Sequence, residues 1–212
     1  MWNISNIYSE ILKTLFPPRC YVCKKDGEIL CKNCLLNFGR AVDTPSSYIK
    51  SIFSFKDRNV KRVVHAIKYY HRKDLVGPTA SVLAQELEKD LEQLNKNLDW
   101  ILVPIPMPKI RMYLRGYNQA LVIAKELSRL TMIPVENNLL LRVRNPKRQV
   151  STLTRSERLR NQHNSFRVDK SVGNRNIILV DDVTTTGATI MEAGSALLKS
   201  GAKNVTAITI AH

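Results

Sequence analysis

Two short stretches of the chain hold residue types whose spacing can do chemistry. The first is Asp181-Asp182-Val183-Thr184-Thr185-Thr186-Gly187-Ala188-Thr189, directly after the apolar run at 177–180. Adjacent carboxylates at the end of a buried run are costly without partners. They suit paired vicinal hydroxyls, as on a ribose. The small and hydroxylated residues behind them let backbone come close to a ligand. Three threonine hydroxyls and the N–H groups that open a helix favour an anion. Diol-binding acids followed by a phosphate cradle describe a ribose 5-phosphate; the plainer alternative is a capped helix after a strand. Neither the G-x4-G-K-[ST] loop nor a G-x-G-x-x-G fingerprint is present.

The second stretch is Cys20-x2-Cys23-x7-Cys31-x2-Cys34, which contains all four cysteines of the chain. Each C-x-x-C forms a knuckle that grips one side of a tetrahedral ion, and four thiolates satisfy Zn²⁺ without leaving an open position. Such a zinc stabilises a fold and does no catalysis. Asp26-Gly27 is a turn signal, from which a short hairpin joining the knuckles is expected. Two disulfides are the rival pattern, and a redox C-x-x-C needs one pair where this chain has two. Residues 1–16 lack a basic leader, a continuous apolar core and a small-residue cleavage site, and no apolar run reaches bilayer-spanning length. A cytoplasmic protein with reduced thiols and no membrane insertion is therefore expected.

The elements that must position these groups read as alternating strands and helices. A strand is expected at 48–55, a helix at 60–70 with Val60, Val63, Val64 and Ile67 on one face, and an amphipathic helix at 78–97. A short buried strand at 100–106 is ended by prolines; a helix at 117–130 and a strand at 138–143 follow. The clearest strand signal is 176–183, then a helix at 187–202 and a last strand at 204–211. Ile4, Ile7, Ile11 and Leu15 mark a further helical face at the start of the chain. Alternation of this kind predicts an α/β domain, a mainly parallel sheet with helices on both faces. The stretch 43–47 (DTPSS) is the expected boundary between a 1–47 unit, comprising an N-terminal helix and a zinc-ribbon or knuckle module, and a 48–212 domain.

Charge adds a partner class. The 212 residues carry 33 Lys+Arg against 18 Asp+Glu, a formal +15. Such a surface attracts nucleic acid, an anionic membrane face or phosphorylated small molecules. The excess is concentrated at 142–167, where Arg142, Arg144, Lys147, Arg148, Arg155, Arg158, Arg160 and Arg167 face one acid, Glu157. This run reads as an exposed basic loop within the domain.

These pieces resemble a known family. IILVDDVTTTGAT is similar to the motif with which type I phosphoribosyltransferases bind 5-phosphoribosyl 1-diphosphate (PRPP), and the segment order resembles the transferase half of glutamine amidophosphoribosyltransferases. Over about 16–212 the chain resembles ComF-family (ComFC-type) competence proteins. The four-cysteine module, HAIKYYHRKDL, VPIPMPKIRMYLRGYNQA, QVSTLTRSERLRNQHNSF and the PRPP motif carry that likeness. The resemblance implies a type I phosphoribosyltransferase-like fold in which Asp181 and Asp182 hold the ribose hydroxyls, as the catalytic pair in competent relatives. Thr184, Thr185, Thr186, Gly187, Ala188 and Thr189 would hold the 5-phosphate. Lys68, Arg111 and Arg115 are implied candidates for the diphosphate. Residues 149–166 would form a mobile loop that closes over the site, with Arg148, Arg155, Arg158 and Arg160 available to neutralise the leaving group and Mg²⁺ accompanying PRPP. It also implies a role in natural transformation, with single-stranded DNA and a DNA-uptake helicase as partners. A working transferase acting on an unidentified nucleobase or amine is the alternative, and a PRPP-sensing regulator a third. No cysteine is left over for a glutaminase nucleophile, and no acceptor site is recognisable. PRPP binding is therefore the expectation, and catalysis stays open.

Overall fold

The computed structural model describes residues 16–93, 99–143, 165–169 and 171–212. The N-terminal helical face, the end of the 78–97 helix and most of the basic loop, with Arg148, Arg155, Arg158 and Arg160, lie outside them. Four strands form a parallel sheet in the order β1-β6-β5-β2: β1 (Ile49–Phe53), β2 (Trp100–Pro104), β5 (Asn176–Val183) and β6 (Asn204–Ala211). The pairings between these four strands are all parallel. The expected α/β architecture is present.

Side-chain alternation along β5 explains why both faces are covered. Ile178 and Val180 enter one core, shared with helices α2 (Arg58–Tyr69), α3 (Val76–Gln93) and α5 (Gln119–Thr131). Ile177 and Leu179 enter the other, with Ile190, Ala193 and Leu197 of α6 (Ala188–Lys199). A period of two, fully apolar, is what a strand buried on both sides needs. The helices start where side chains supply caps. Asp57 accepts from the N–H groups of Asn59 (2.7 Å) and Val60 (3.2 Å), and Asn118 accepts from Ala120 N–H (3.1 Å).

Three local features differ from the sequence reading. The 138–143 strand is shorter, β3 (Leu140–Arg142), and pairs antiparallel with β4 (Phe166–Val168) as a separate two-stranded ribbon. Its Leu139 and Leu140, with Phe166, pack into the α6-side core, so burial is achieved without joining the sheet. The 166–168 stretch, read as part of the basic loop, is therefore a strand in part. The outer edge of β2 is covered instead by a single bridge, with Leu102 N–H donating to Pro134 (2.8 Å) and Glu136 N–H to Leu102 (2.9 Å). Finally, the segment after β2, read as loop, contains the short helix α4 (Lys109–Arg115), which Gly116 ends at φ +71°. It buries no side chain, so no hydrophobic periodicity marks it.

The cysteine segment rests on the same core. Cys20, Leu30, Leu35 and Phe38 are packed with Phe53, Val60 and Val63, and the Phe38 and Phe53 rings meet edge-on at 5.3 Å. Ala41 N–H donates to Ile52 (3.1 Å) and Ser54 N–H to Gly39 (2.7 Å), so the chain after the cysteines runs along β1. Among the described residues no helix is long and apolar enough to cross a membrane.

Candidate functional site

Asp181 and Asp182 lie just before the last residue of β5, and alternation turns them to opposite faces of the sheet. Asp182, in phase with Val180, faces the α2 side, where Lys68 in the last turn of α2 meets it at 3.2 Å. Asp181, in phase with Leu179, turns toward the β3–β4 ribbon, which brings Arg142 near it. Both line one cleft of about 270 Å³ at the carboxyl end of the sheet, together with Lys68, Arg111, Arg115, Arg142 and Thr189. That is where open α/β sheets hold ligands. Four cations and two carboxylates thus share a small concavity. Burial first, and then the Asp182 charge, push the Asp181 carboxyl up to about 7, against the pull of Lys68 and Arg142.

The floor of the cleft comes from the segment between β2 and α5. Asn118 donates to Ile105 O (3.0 Å) while its side-chain oxygen caps α5. Arg115 reaches Gln119 Oε1 at 3.3 Å and the Tyr69 hydroxyl at 3.4 Å, with its guanidinium 5.0 Å from the Tyr69 ring centre. Tyr117 is buried, and its hydroxyl donates to Ile67 O.

The threonine loop divides between surroundings. Thr189 lines the acid cleft. Thr184 is buried, its N–H donating to Ala211 O (3.0 Å), and it lines with Thr185 a second hollow beside Phe55, Lys61 and His212. Thr186 Oγ1 accepts from Ala188 N–H at 3.4 Å, and Gly187 (φ +75°) precedes α6. A Cβ on Gly187 would lie 2.9 Å from Pro45 Cβ, so only glycine fits this turn against the 43–47 stretch. Of the expected site residues, Lys68, Arg111, Arg115, Asp181, Asp182 and Thr189 come together. Arg148, Arg155 and Arg158 lie outside the described residues. Arg142, Asn118 and Gln119 were missed as cleft residues. Arg142 counted only as one charge of a run, and no spacing rule singles out an Asn-Gln pair at a helix start.

The four cysteines form a separate centre. Their sulfurs all lie within 4.8 Å of one another, with Cys20–Cys34 at 3.8 Å and Cys23–Cys31 at 3.7 Å. Sulfurs 2.3 Å from a tetrahedral zinc would be about 3.8 Å apart, so the donor set fits that ion. In place of a simple hairpin, the first knuckle is a turn with Lys24 N–H on Cys20 O (2.9 Å), followed by a single Arg19–Asp26 bridge. The second opens α1 (Lys32–Leu36), with Cys31 at its N-cap. Burial works to raise the Cys20 thiol, but the N–H groups of Cys31, Cys23 and Val22 outweigh it and hold the pKa down to about 6.

No family model matches the chain. It is 25% identical to the DNA utilization protein YhgH of Escherichia coli O157:H7 over 206 residues, covering 96% of this chain and 88% of that protein. It is 28% identical to competence protein ComFC of Bacillus subtilis over 214 residues, covering 94% and 80%. Among solved structures it resembles the glutamine PRPP amidotransferase of B. subtilis complexed with ADP and GMP. That match has 18% identity and a TM-score of 0.46, covering 68% of this chain and 30% of that one.

Proposed function

We propose that this protein, a homologue of competence and DNA-utilization proteins, handles single-stranded DNA in the cytoplasm during DNA uptake and binds PRPP in the cleft at the end of β5. The observation that carries the PRPP reading is the pairing of Asp181 and Asp182 with four cations in one concavity. The carboxylates suit the ribose diol, and Lys68, Arg111, Arg115 and Arg142 suit the diphosphate, which Mg²⁺ would accompany. The first turn of α6, from Thr186 to Thr189, is proposed for the 5-phosphate. The ion of the four-cysteine centre is proposed as structural zinc, held within the 1–47 unit that precedes the transferase-like domain. A helicase of the uptake machinery is the proposed protein partner, on the family resemblance alone.

The nucleic-acid reading rests on surface chemistry. Tyr69, Tyr70 and Tyr113 are 54%, 68% and 90% exposed, with Arg115 against Tyr69, and exposed rings next to cations are where bases can stack and phosphates pair. Tyr117, by contrast, is buried and belongs to the core. A titration with PRPP and with single-stranded DNA, separately and together, at two salt concentrations tests both parts. DNA affinity should be independent of sequence and fall steeply with salt, since each neutralised phosphate releases counterions. Asp181→Ala with Asp182→Ala should weaken PRPP binding roughly a hundredfold, with the circular dichroism unchanged. Retained PRPP affinity in that double variant would refute the site, and salt-independent DNA binding would refute the surface.

A further inference from the structure

An aromatic ring outside the cleft gathers three cations. Tyr21 lies in the first cysteine knuckle, half-buried against the core that the knuckle shares with α2. The Lys24 ammonium is 5.1 Å from its ring centre, the Arg72 guanidinium 5.2 Å and the Arg62 guanidinium 5.8 Å. Arg72 has a counter-charge, a two-pronged pair with Asp74 at 2.9 and 2.7 Å. Among the described residues no carboxylate lies within ion-pair distance of Lys24 or Arg62, and Arg62 reaches Asn59 Oδ1 at 3.5 Å. A ring face attracts each cation but carries no net charge to offset the repulsion among three. Backbone geometry agrees. Lys24 has φ +65°, the left-handed region where glycine or asparagine is the usual residue. Its N–H closes the knuckle on Cys20 O at 2.9 Å, and its ammonium donates to Tyr21 O at 2.9 Å, which holds the charge at the seam with α2. The turn is needed by the knuckle, whereas a lysine in it costs stability that glycine would not, which points to a use for the charge.

We infer that Lys24, Arg62 and Arg72 form a clamp, at the seam between the cysteine module and α2, for a backbone phosphate of single-stranded nucleic acid. The inference rests on the nucleic-acid reading above and adds to the surface at Tyr69 a second point of contact. An anion between these cations removes their mutual repulsion, and guanidinium groups offer paired N–H donors to phosphate oxygens. From the clamp the exposed face of α2 continues through His65 to Tyr69, three and seven residues beyond Arg62 and about 10 Å along the axis. The His65 and Tyr69 rings are 5.1 Å apart, and the Arg115 guanidinium lies 5.0 Å from the Tyr69 ring centre. Cations and rings thus follow one another on a single exposed face, as a strand with a charged backbone and stacking bases requires. An anionic membrane also presents phosphates, but it would need aliphatic side chains beside the cations. On α2 the aliphatic residues Val60, Val63, Val64 and Ile67 are all buried.

The test uses the full chain purified with its zinc, a labelled single-stranded oligothymidine, and fluorescence anisotropy over a series of salt concentrations. Lys24→Gly removes a charge and keeps the left-handed turn; Arg62→Gln removes a charge and keeps most of the side chain. Each variant should bind roughly threefold or more weakly, and the slope of log affinity against log salt should fall by about 0.7 for each cation removed. Lys24→Gly should melt no lower than the wild type, since the strain of a left-handed lysine is gone, and PRPP affinity should be unchanged in both. A lowered melting temperature with the salt slope intact would assign the cations a structural role and overturn the clamp. Unchanged oligothymidine affinity and slope in the double variant would overturn it too, with the surface at Tyr69 and Tyr113 still standing. So would a double variant that keeps oligothymidine but loses phosphatidylglycerol vesicles, which would give these cations to a membrane. A wild-type protein that binds no oligothymidine overturns the nucleic-acid reading itself.

Discussion

The two carboxylates that end β5 are chemically alike and are placed in different surroundings. Asp182 turns to Lys68, 3.2 Å away, while at Asp181 desolvation and the like charge of its neighbour outweigh the pull of Lys68 and Arg142. A carboxyl raised from 3.8 to about 7 binds a proton in the folded state that the unfolded chain has already lost. Between those values stability from this group falls as pH rises, because the folded form carries more protons. The ligand-free protein should accordingly lose melting temperature from about pH 4 to pH 7, and Asp181→Asn should flatten that loss. Scanning calorimetry of both proteins across this range checks it; an identical slope in the variant would place the titration elsewhere. PRPP affinity should move the opposite way, strengthening as pH rises through about 7, since only the ionised carboxylate accepts from both ribose hydroxyls.

At the scale of elements, the loop between β5 and α6 is held by its contact with the 43–47 stretch. Gly187 has φ +75° and its α-carbon faces Pro45. Gly187→Ala would combine left-handed backbone strain with a Cβ 2.9 Å from Pro45, against a backbone turn that has little room to shift. The variant should be destabilised by about 1–3 kcal/mol in denaturant titration, and PRPP affinity should drop because the first turn of α6 is displaced. Wild-type stability in Gly187→Ala would mean that the 43–47 stretch yields freely. The same loop shows why the Thr184–Thr189 run could not be divided from sequence. Six consecutive small residues read as one cradle, whereas the hydrogen bond from Thr184 to Ala211 and the left-handed turn at Gly187 direct them to two different hollows.

For the whole molecule, the four-cysteine centre and the α/β domain are mechanically linked. Cys20, Leu30, Leu35 and Phe38 share a core with Phe53 and α2, and the Arg62 and Arg72 guanidinium groups lie over the Tyr21 ring at 5.8 Å and 5.2 Å. α2 in turn supplies Lys68 to the cleft. One zinc per chain is expected by metal analysis. Chelation, or Cys20→Ser, should lower the melting temperature of the entire protein in a single transition and weaken PRPP binding with it. Two separate transitions would show that the centre folds on its own.

Much of this was legible in the residues themselves. The spacing of the cysteines dictates one tetrahedral donor set, because two C-x-x-C knuckles can close on a single ion. The run of apolar residues in β5 dictates a strand buried on both sides, and the acids that follow must then emerge at its end. These are local constraints, carried by neighbours in the chain. What only the tertiary structure decided depends on residues far apart in sequence. Lys68 reaches Asp182, Arg142 reaches the cleft from a ribbon outside the main sheet, Tyr117 goes inward while Tyr69, Tyr70 and Tyr113 stay out, and Gln119 is buried against the cleft. No periodicity encodes these, since each results from the packing of α2, α5 and β3 around the end of one strand. The formal charge of +15 shows the same division. Its size is a property of composition, but which of the described cations face two carboxylates in a cleft is decided by the fold.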